Sequence, residues 1–285
     1  MGIDYERIKN WPIPPITAAY TRNDTMRFAR GVGAGMPGPL QAEDQKFLRD
    51  DAMLQALPMM AVVLNEGPMW TQDPATEIDW TQTIHAEECV TMYRPLAPEG
   101  ELLAEYRIDE IYDKGRGKGA LIYESRRLSQ PGGTRVAELQ IATFLRANGG
   151  FGGPSLISPK PHEIPSDRPP DEAIELLTPV GEAAIYALLP EFVDALKFAG
   201  QRDDQVMLRG ACAFGIAGRG VLKLCCGNDP ARLRKMKLRY AGPTFTGETV
   251  RIEVWHGDRG TASFQVRAVE RNALVMKSGS VRFDA

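Results

Sequence analysis

Histidine is scarce in this chain, with three among 285 residues. Cysteine is hardly richer: Cys89, Cys212, Cys225 and Cys226 include no C-x-x-C spacing. A structural zinc needs four closely spaced thiolate or imidazole ligands, so this set offers no zinc site and reads as buried, reduced thiols. There is no basic excess either. Lys and Arg number 34 against 37 Asp and Glu, a net charge of −3, which leaves no electrostatic footprint for nucleic acid. No apolar run approaches the roughly eighteen residues of a membrane span. The opening MGIDYERIKNWPIPP lacks the basic-then-apolar pattern of a secretory leader, and Glu6 stands where a myristoylation site needs Ser or Thr. We therefore expect a cytoplasmic protein with neither membrane nor nucleic acid as partner. The glycines of GVGAG, 31–35, follow a helix-like segment and not a strand, which argues against a dinucleotide fingerprint.

What remains is an ordinary globular composition, 43% hydrophobic and 25% charged, long enough for one large domain or two modest ones. The stretch GGFGGPSLISPKPHEIPSDRPPDE, 149–172, is dense in Gly, Pro and Ser and divides the chain near its middle. Residues 1–150 and 173–285 are expected to be two structural repeats, with 151–172 as the linker. Each half carries Pro, then Gly-Glu, then alternating strands. YRPLAPEGELLAEYRIDEIYDKGRGKGALIYESRRL fills 93–128, and RYAGPTFTGETVRIEVWHGDRGTASFQVRAVER fills 239–271. Leu103, Tyr106 and Ile108 fall on the first long strand, and Val250, Ile252 and Val254 alternate on the second. A helix precedes the strands in each half. In the second it is Ala211–Leu224, glycine-led and rich in small residues; in the first, DAMLQALPMMAVVLN, 51–65, is expected as its counterpart. The expected fold is α+β, with two antiparallel sheets each wrapping a central helix and forming a pseudo-dimer.

These strings resemble a known family. LRGACAFGIAGRGVLK followed by KLRYAGPTFTGETVRIEVW is similar to the second half of the MaoC-like, hydratase-2 type enoyl-CoA hydratases. YTRNDTMRFARGVGAG (20–35), ALPMMAVVLNEG (56–67), IDWTQTIHAEECVTMYRPLAPEGE (78–101) and TFLRANGGFGG (143–153) follow the family's first half in order. The resemblance implies a double hot-dog fold and reversible hydration of a 2-enoyl-CoA to the (R)-3-hydroxyacyl-CoA. No cofactor is implied, the CoA thioester being substrate or ligand. Hydration needs a base for water, an acid for Cα, and a donor to the thioester oxygen. The family draws the first two from a D-x-N-P-L-H segment and the third from a backbone N–H at the start of the buried helix.

Gly210 matches that helix start and supplies the oxyanion N–H by resemblance. The D-x-N-P-L-H segment is missing from EAAIYALLPEFVDALKFAGQRDDQVMLRG, 182–210. Counting back from Gly210 puts Ala187 where the Asp belongs and Phe192 where the His belongs, and the histidine before the glycine has become Arg209. Candidate replacements are Asp194, Asp203 and Asp204, with Glu191 beside them, and His85 in TIHAEECV; solvated carboxylates are the plainer reading of the loop, and a structural or ligand-lining residue the plainer reading of His85. Arg209 has three readings: binding a CoA phosphate or substrate carboxylate, pairing with Asp203 or Asp204 in the vacated site, or projecting into solvent. The pairing is preferred, because a buried guanidinium needs a partner. Lys114 and Lys118, in the glycine-rich turn DKGRGKG, and Lys237, on a strand with Lys235 and Arg239, are the candidate phosphate contacts. His162 and His256 read as solvated. Two functions stand: a hydratase or dehydratase with relocated acid–base groups, or a catalytically silent homologue that binds acyl-CoA or pairs with an active partner. Association as a homo-oligomer or with a related hot-dog partner is left open.

Overall fold

A computed structural model describes residues 3–155, 161–180 and 206–284. Among these residues the first half carries β1 (Ile16–Tyr20), β2 (Thr83–Met92), β3 (Gly100–Asp113), β4 (Ala120–Ser129) and β5 (Arg135–Leu145). The second half carries β6 (Glu172–Leu177), β7 (Leu233–Tyr240), β8 (Thr249–His256), β9 (Thr261–Ala268) and β10 (Ala273–Phe283). Three α-helices accompany them: α1 (Tyr5–Lys9), α2 (Arg22–Gly31) and α3 (Gly210–Cys226).

All ten strands join one antiparallel sheet in the order β1-β3-β4-β5-β2-β7-β10-β9-β8-β6. Numbering each half from its own first strand gives the same order, one-three-four-five-two, read outward-in from either edge. The two halves are therefore repeats that meet at their second strands. β2 pairs with β7 from Glu87↔Arg239 to Thr91↔Lys235. This is the double hot-dog arrangement, a sheet curled about a buried helix.

That helix is α3. Its residues are small because three surfaces press on it. A Cβ on Gly215 would lie 2.5 Å from Val32, one on Gly218 2.4 Å from Met59, and one on Gly220 3.0 Å from Ile174 and Ile252. Two of these neighbours are first-half loops and turns; only the last belongs to the wrapping sheet. The helix stops at Gly227, whose φ of 61° is the left-handed conformation that glycine adopts cheaply.

The first half departs from its expected counterpart helix. Of residues 51–65, only Pro58–Val62 form helical geometry, a single 3₁₀ turn. Pro58 has no N–H to continue a helix from the preceding residues, and Asn65 turns left-handed at φ 50°. Between those limits there is no room for three turns. The carbonyls of Ala61, Val62 and Asn65 instead accept hydrogen bonds from the buried Arg126 guanidinium on β4.

One buried ion pair ties the halves together. Arg219 of α3 bonds Asp44, and its Nη1 donates to Val32 O at 2.9 Å. Their side chains are 4% and 1% exposed, so neither charge has water to fall back on. Arg219→Met should cost about 3–5 kcal/mol of unfolding free energy by leaving Asp44 buried and unpaired. Asp44→Leu/Arg219→Met should recover most of it in the same denaturant titration, and equal losses in both variants would refute that account.

Candidate active site

The start of α3 lies where the halves meet. Arg209 is extended just before the helix, its own side chain makes no capping hydrogen bond, and the first-turn N–H groups, Gly210's included, have no intrahelical acceptor. The helix dipole adds partial positive charge there. Glycine at this position lets an imidazole come close: a Cβ on Gly210 would lie 3.0 Å from His85 Nδ1 and 3.2 Å from Tyr240 Oη.

His85 reaches this place through a bulge in β2. His85 pairs with Thr143 and Glu87 with Ala142, neighbouring residues of β5, so Ala86 is extra. In a regular strand residues 85 and 88 face opposite sides; the added residue turns His85 onto Glu88's inward face. His85 Nε2 then lies 3.2 Å from Glu88 Oε2. The contact is off the line of a hydrogen bond, and Nε2 has no other partner among the described residues. Tyr240, at the end of β7, has its hydroxyl 2.8 Å from Gly210 O and 3.2 Å from the same Glu88 Oε2. The His85 and Tyr240 rings are 5.0 Å apart.

Access and burial are graded across this group. The His85 side chain keeps 31% exposure while Glu88 keeps 1%. Burial raises the proton affinity of Glu88, against the opposing pull of His85, Arg126 and the Tyr240 hydroxyl. Burial also pushes Tyr240 well above the usual phenol range, and Glu88 adds to that. Nearby Cys212 is raised to about 12 by burial, which makes it an inert thiol. All four cysteines are buried and free.

The structure thus brings together Gly210 and His85. Arg209 stands beside them with its Nη2 3.1 Å from Glu66 Oε1, the two side chains 39% and 41% exposed; the expected partners Asp203 and Asp204 lie outside the described residues. Glu66 follows the first-half turn. Such a half-exposed pair is worth about 0–1 kcal/mol and is easily exchanged. Asp194, Asp203 and Asp204, with Glu191, lie outside the described residues.

Lys237 does not belong to this group. Its neighbours Met236 and Leu238 point into the core, so Lys237 lies on the outer face, 3.0 Å from Glu87 Oε2. Lys114 and Lys118 sit on the β3–β4 turn. Lys114 lies over the Phe144 ring, and the amides of Gly115, Gly150 and Gly152 donate to Asp113, so those N–H groups are not an open anion cradle. Glu88, Tyr240, Glu66 and Arg126 were not foreseen. Two of them carried a signal: Glu88 shares the inward phase of Val90 and Met92, and Tyr240 that of Met236 and Leu238.

Residues 19–147 match the family model described as the MFE-2 hydratase 2 N-terminal domain. The chain is 30% identical to a probable enoyl-CoA hydratase 2 from Dictyostelium discoideum, covering 98% of this chain and 96% of that protein. It is also 30% identical to 3-hydroxyacyl-thioester dehydratase Y from Mycobacterium tuberculosis, covering 95% of each. Among solved structures, a MaoC-like dehydratase from Phytophthora capsici superposes with a TM-score of 0.79 at 28% identity, over 98% of this chain and 99% of that one. Among the described residues, no helix is long and apolar enough to cross a membrane.

The raised proton affinity of Glu88 has a stability consequence. Its contribution is full below the ordinary carboxylate range and is lost as pH rises through the raised value. Glu88→Gln, neutral throughout, should therefore melt with the wild type near about pH 4 and about 2–4 °C above it at about pH 8.5. A constant difference at every pH would show that ionisation of Glu88 is not the cause.

Proposed function

The chain belongs to the hydratase-2 family of MaoC-like enoyl-CoA hydratases and dehydratases, and from that premise we propose that it binds acyl-CoA thioesters at the start of α3 and hydrates 2-enoyl-CoA to 3-hydroxyacyl-CoA, with His85 as its acid–base group. The observation that carries this reading is His85 Nδ1 lying 3.0 Å from the position of a Gly210 Cβ, at the N-terminus of the buried helix. The Gly210 N–H donates to the thioester oxygen, where negative charge gathers as the enolate forms. His85 Nδ1 takes a proton from water, the water oxygen bonds C3, and the C2=C3 π pair moves onto the thioester. The proton on Nδ1 then goes to C2, completing addition of one water.

Arg209, paired with the half-exposed Glu66, is the cation for a CoA phosphate, with Lys114 and Lys118 as further candidates. Four buried, unpaired thiols are in keeping with a reducing compartment such as the cytoplasm.

Loss of the conjugated enoyl absorbance across a panel of trans-2-enoyl-CoA thioesters tests the reading. His85→Ala should lower kcat by about 10²–10⁴-fold. Gly210→Ala, whose methyl would crowd the imidazole, should lower it by about 10²-fold. Undiminished turnover in His85→Ala would move catalysis to Asp194, Asp203 or Asp204. Tight thioester binding with no turnover by the wild type would leave the silent homologue as the function.

A further inference from the structure

We propose that Glu88 is the positioning residue of this site, holding His85 with Nε2–H toward its own Oε2 and leaving the Nδ1 lone pair directed at Gly210. The catalytic consequence rests on the reading above; the pairing itself does not.

Both polar contacts of Glu88 converge on one oxygen. His85 Nε2 and Tyr240 Oη each lie 3.2 Å from Oε2. The Tyr240 hydroxyl has one proton and two acceptors in reach, since Gly210 O at 2.8 Å can only accept. If that proton goes to Gly210 O, Glu88 must carry its own proton to bond Tyr240. If Glu88 is ionised, it accepts from Tyr240 or from His85 Nε2–H. The two arrangements differ by one proton on Oε2, and a buried carboxyl with raised proton affinity holds either. Nε2 is itself buried and has no other partner among the described residues, so within them the imidazole has one place to send that N–H. Loose geometry is common in sites without substrate.

The charged groups facing Glu88 come from several elements. His85 lies on its own strand, Arg126 on β4, Tyr240 on β7 and Glu66 on the loop after the first-half turn. Arg126 is committed to the turn carbonyls, and Glu66 pairs with Arg209. That leaves His85 as the group able to exchange a proton with Glu88. In hydration the balance is direct. As Nδ1 takes water's proton, Nε2 passes its proton to Oε2; as Nδ1 releases its proton to C2, Oε2 returns the other to Nε2. The pair is neutral only while the proton is held and ends with the single negative charge it began with.

Imidazole ¹⁵N–¹H correlation spectra of the full chain test the pairing without turnover. With three histidines, the His85 signals are assigned by their loss in His85→Gln. The wild type should show the Nε2–H tautomer, and Glu88→Gln should shift the tautomer balance toward Nδ1–H. In turnover of a trans-2-enoyl-CoA, Glu88→Gln should lower kcat by about tenfold to hundredfold with KM unchanged, and Glu88→Asp should restore part of it. A wild-type imidazole carrying its proton on Nδ1 would overturn the pairing, whether or not Glu88→Gln folds. So would a tautomer balance identical in Glu88→Gln. The Nε2–H tautomer and its shift in Glu88→Gln, together with a wild type that turns over no enoyl-CoA, would uphold the pairing and end the hydratase reading alone.

Discussion

The hydrogen-bonded seam between β2 and β7 is the constraint on which the rest depends. It makes one sheet of two repeats, and it fixes how far each half reaches toward the other. Because β2 and β7 stop pairing at Glu87↔Arg239, the chain beyond is free to bulge at Ala86 and to end at Tyr240. His85, Glu88, Tyr240 and the start of α3 then meet within a few ångströms, although they come from opposite halves. A shift of register by one residue would send Glu88 to the outer face and Glu87 inward. The ion pairs of Glu87 with Lys237 and Arg239 hold the outer side of the same register.

The two halves use different means to fill their interiors. In the second, a helix of small residues satisfies its own backbone and admits neighbours at its glycines. In the first, a single 3₁₀ turn is completed by a side chain, Arg126, which bonds three of its carbonyls. That guanidinium is buried without a carboxylate in ion-pair reach among the described residues, and burial lowers its proton affinity despite nearby Tyr106, Glu66 and Glu88. The first half therefore keeps its shape through one long polar side chain where the second uses a helix.

Much of this was legible in the sequence, and the limits have physical causes. The repeated Pro, Gly-Glu and strand pattern indicated the tandem plan, because strand alternation and turn glycines are local signals. Ala211–Leu224 was read as a helix and spans Gly210–Cys226. The first-half helix failed because Pro58 and Asn65 punctuate a run whose apolar content alone resembled one. Gly210 and His85 were both singled out, yet their proximity depends on a bulge that no residue type announces. Spacing alone puts positions 85 and 88 on opposite faces. Glu66 lies so far from Arg209 in sequence that only the fold could pair them. Glu88 and Tyr240 were readable from strand phase, a polar residue in an apolar register, and were passed over because the family pattern drew attention to the second half.

The antiparallel seam also has a consequence during synthesis. The first half completes β2's pairing with β5 using residues before 146, but β7 begins only at Leu233. While the intervening chain is being made, one side of β2 is an open sheet edge with unpaired N–H and C=O groups. Open edges recruit foreign strands unless something discourages them, and inward-pointing charge is one such device. Glu88 faces inward from that edge and Glu87 outward. An intruding strand would have to bury the one without Tyr240 and meet the other without Arg239. The residues that furnish the site thus make the nascent half a poor template for any partner but its own second repeat.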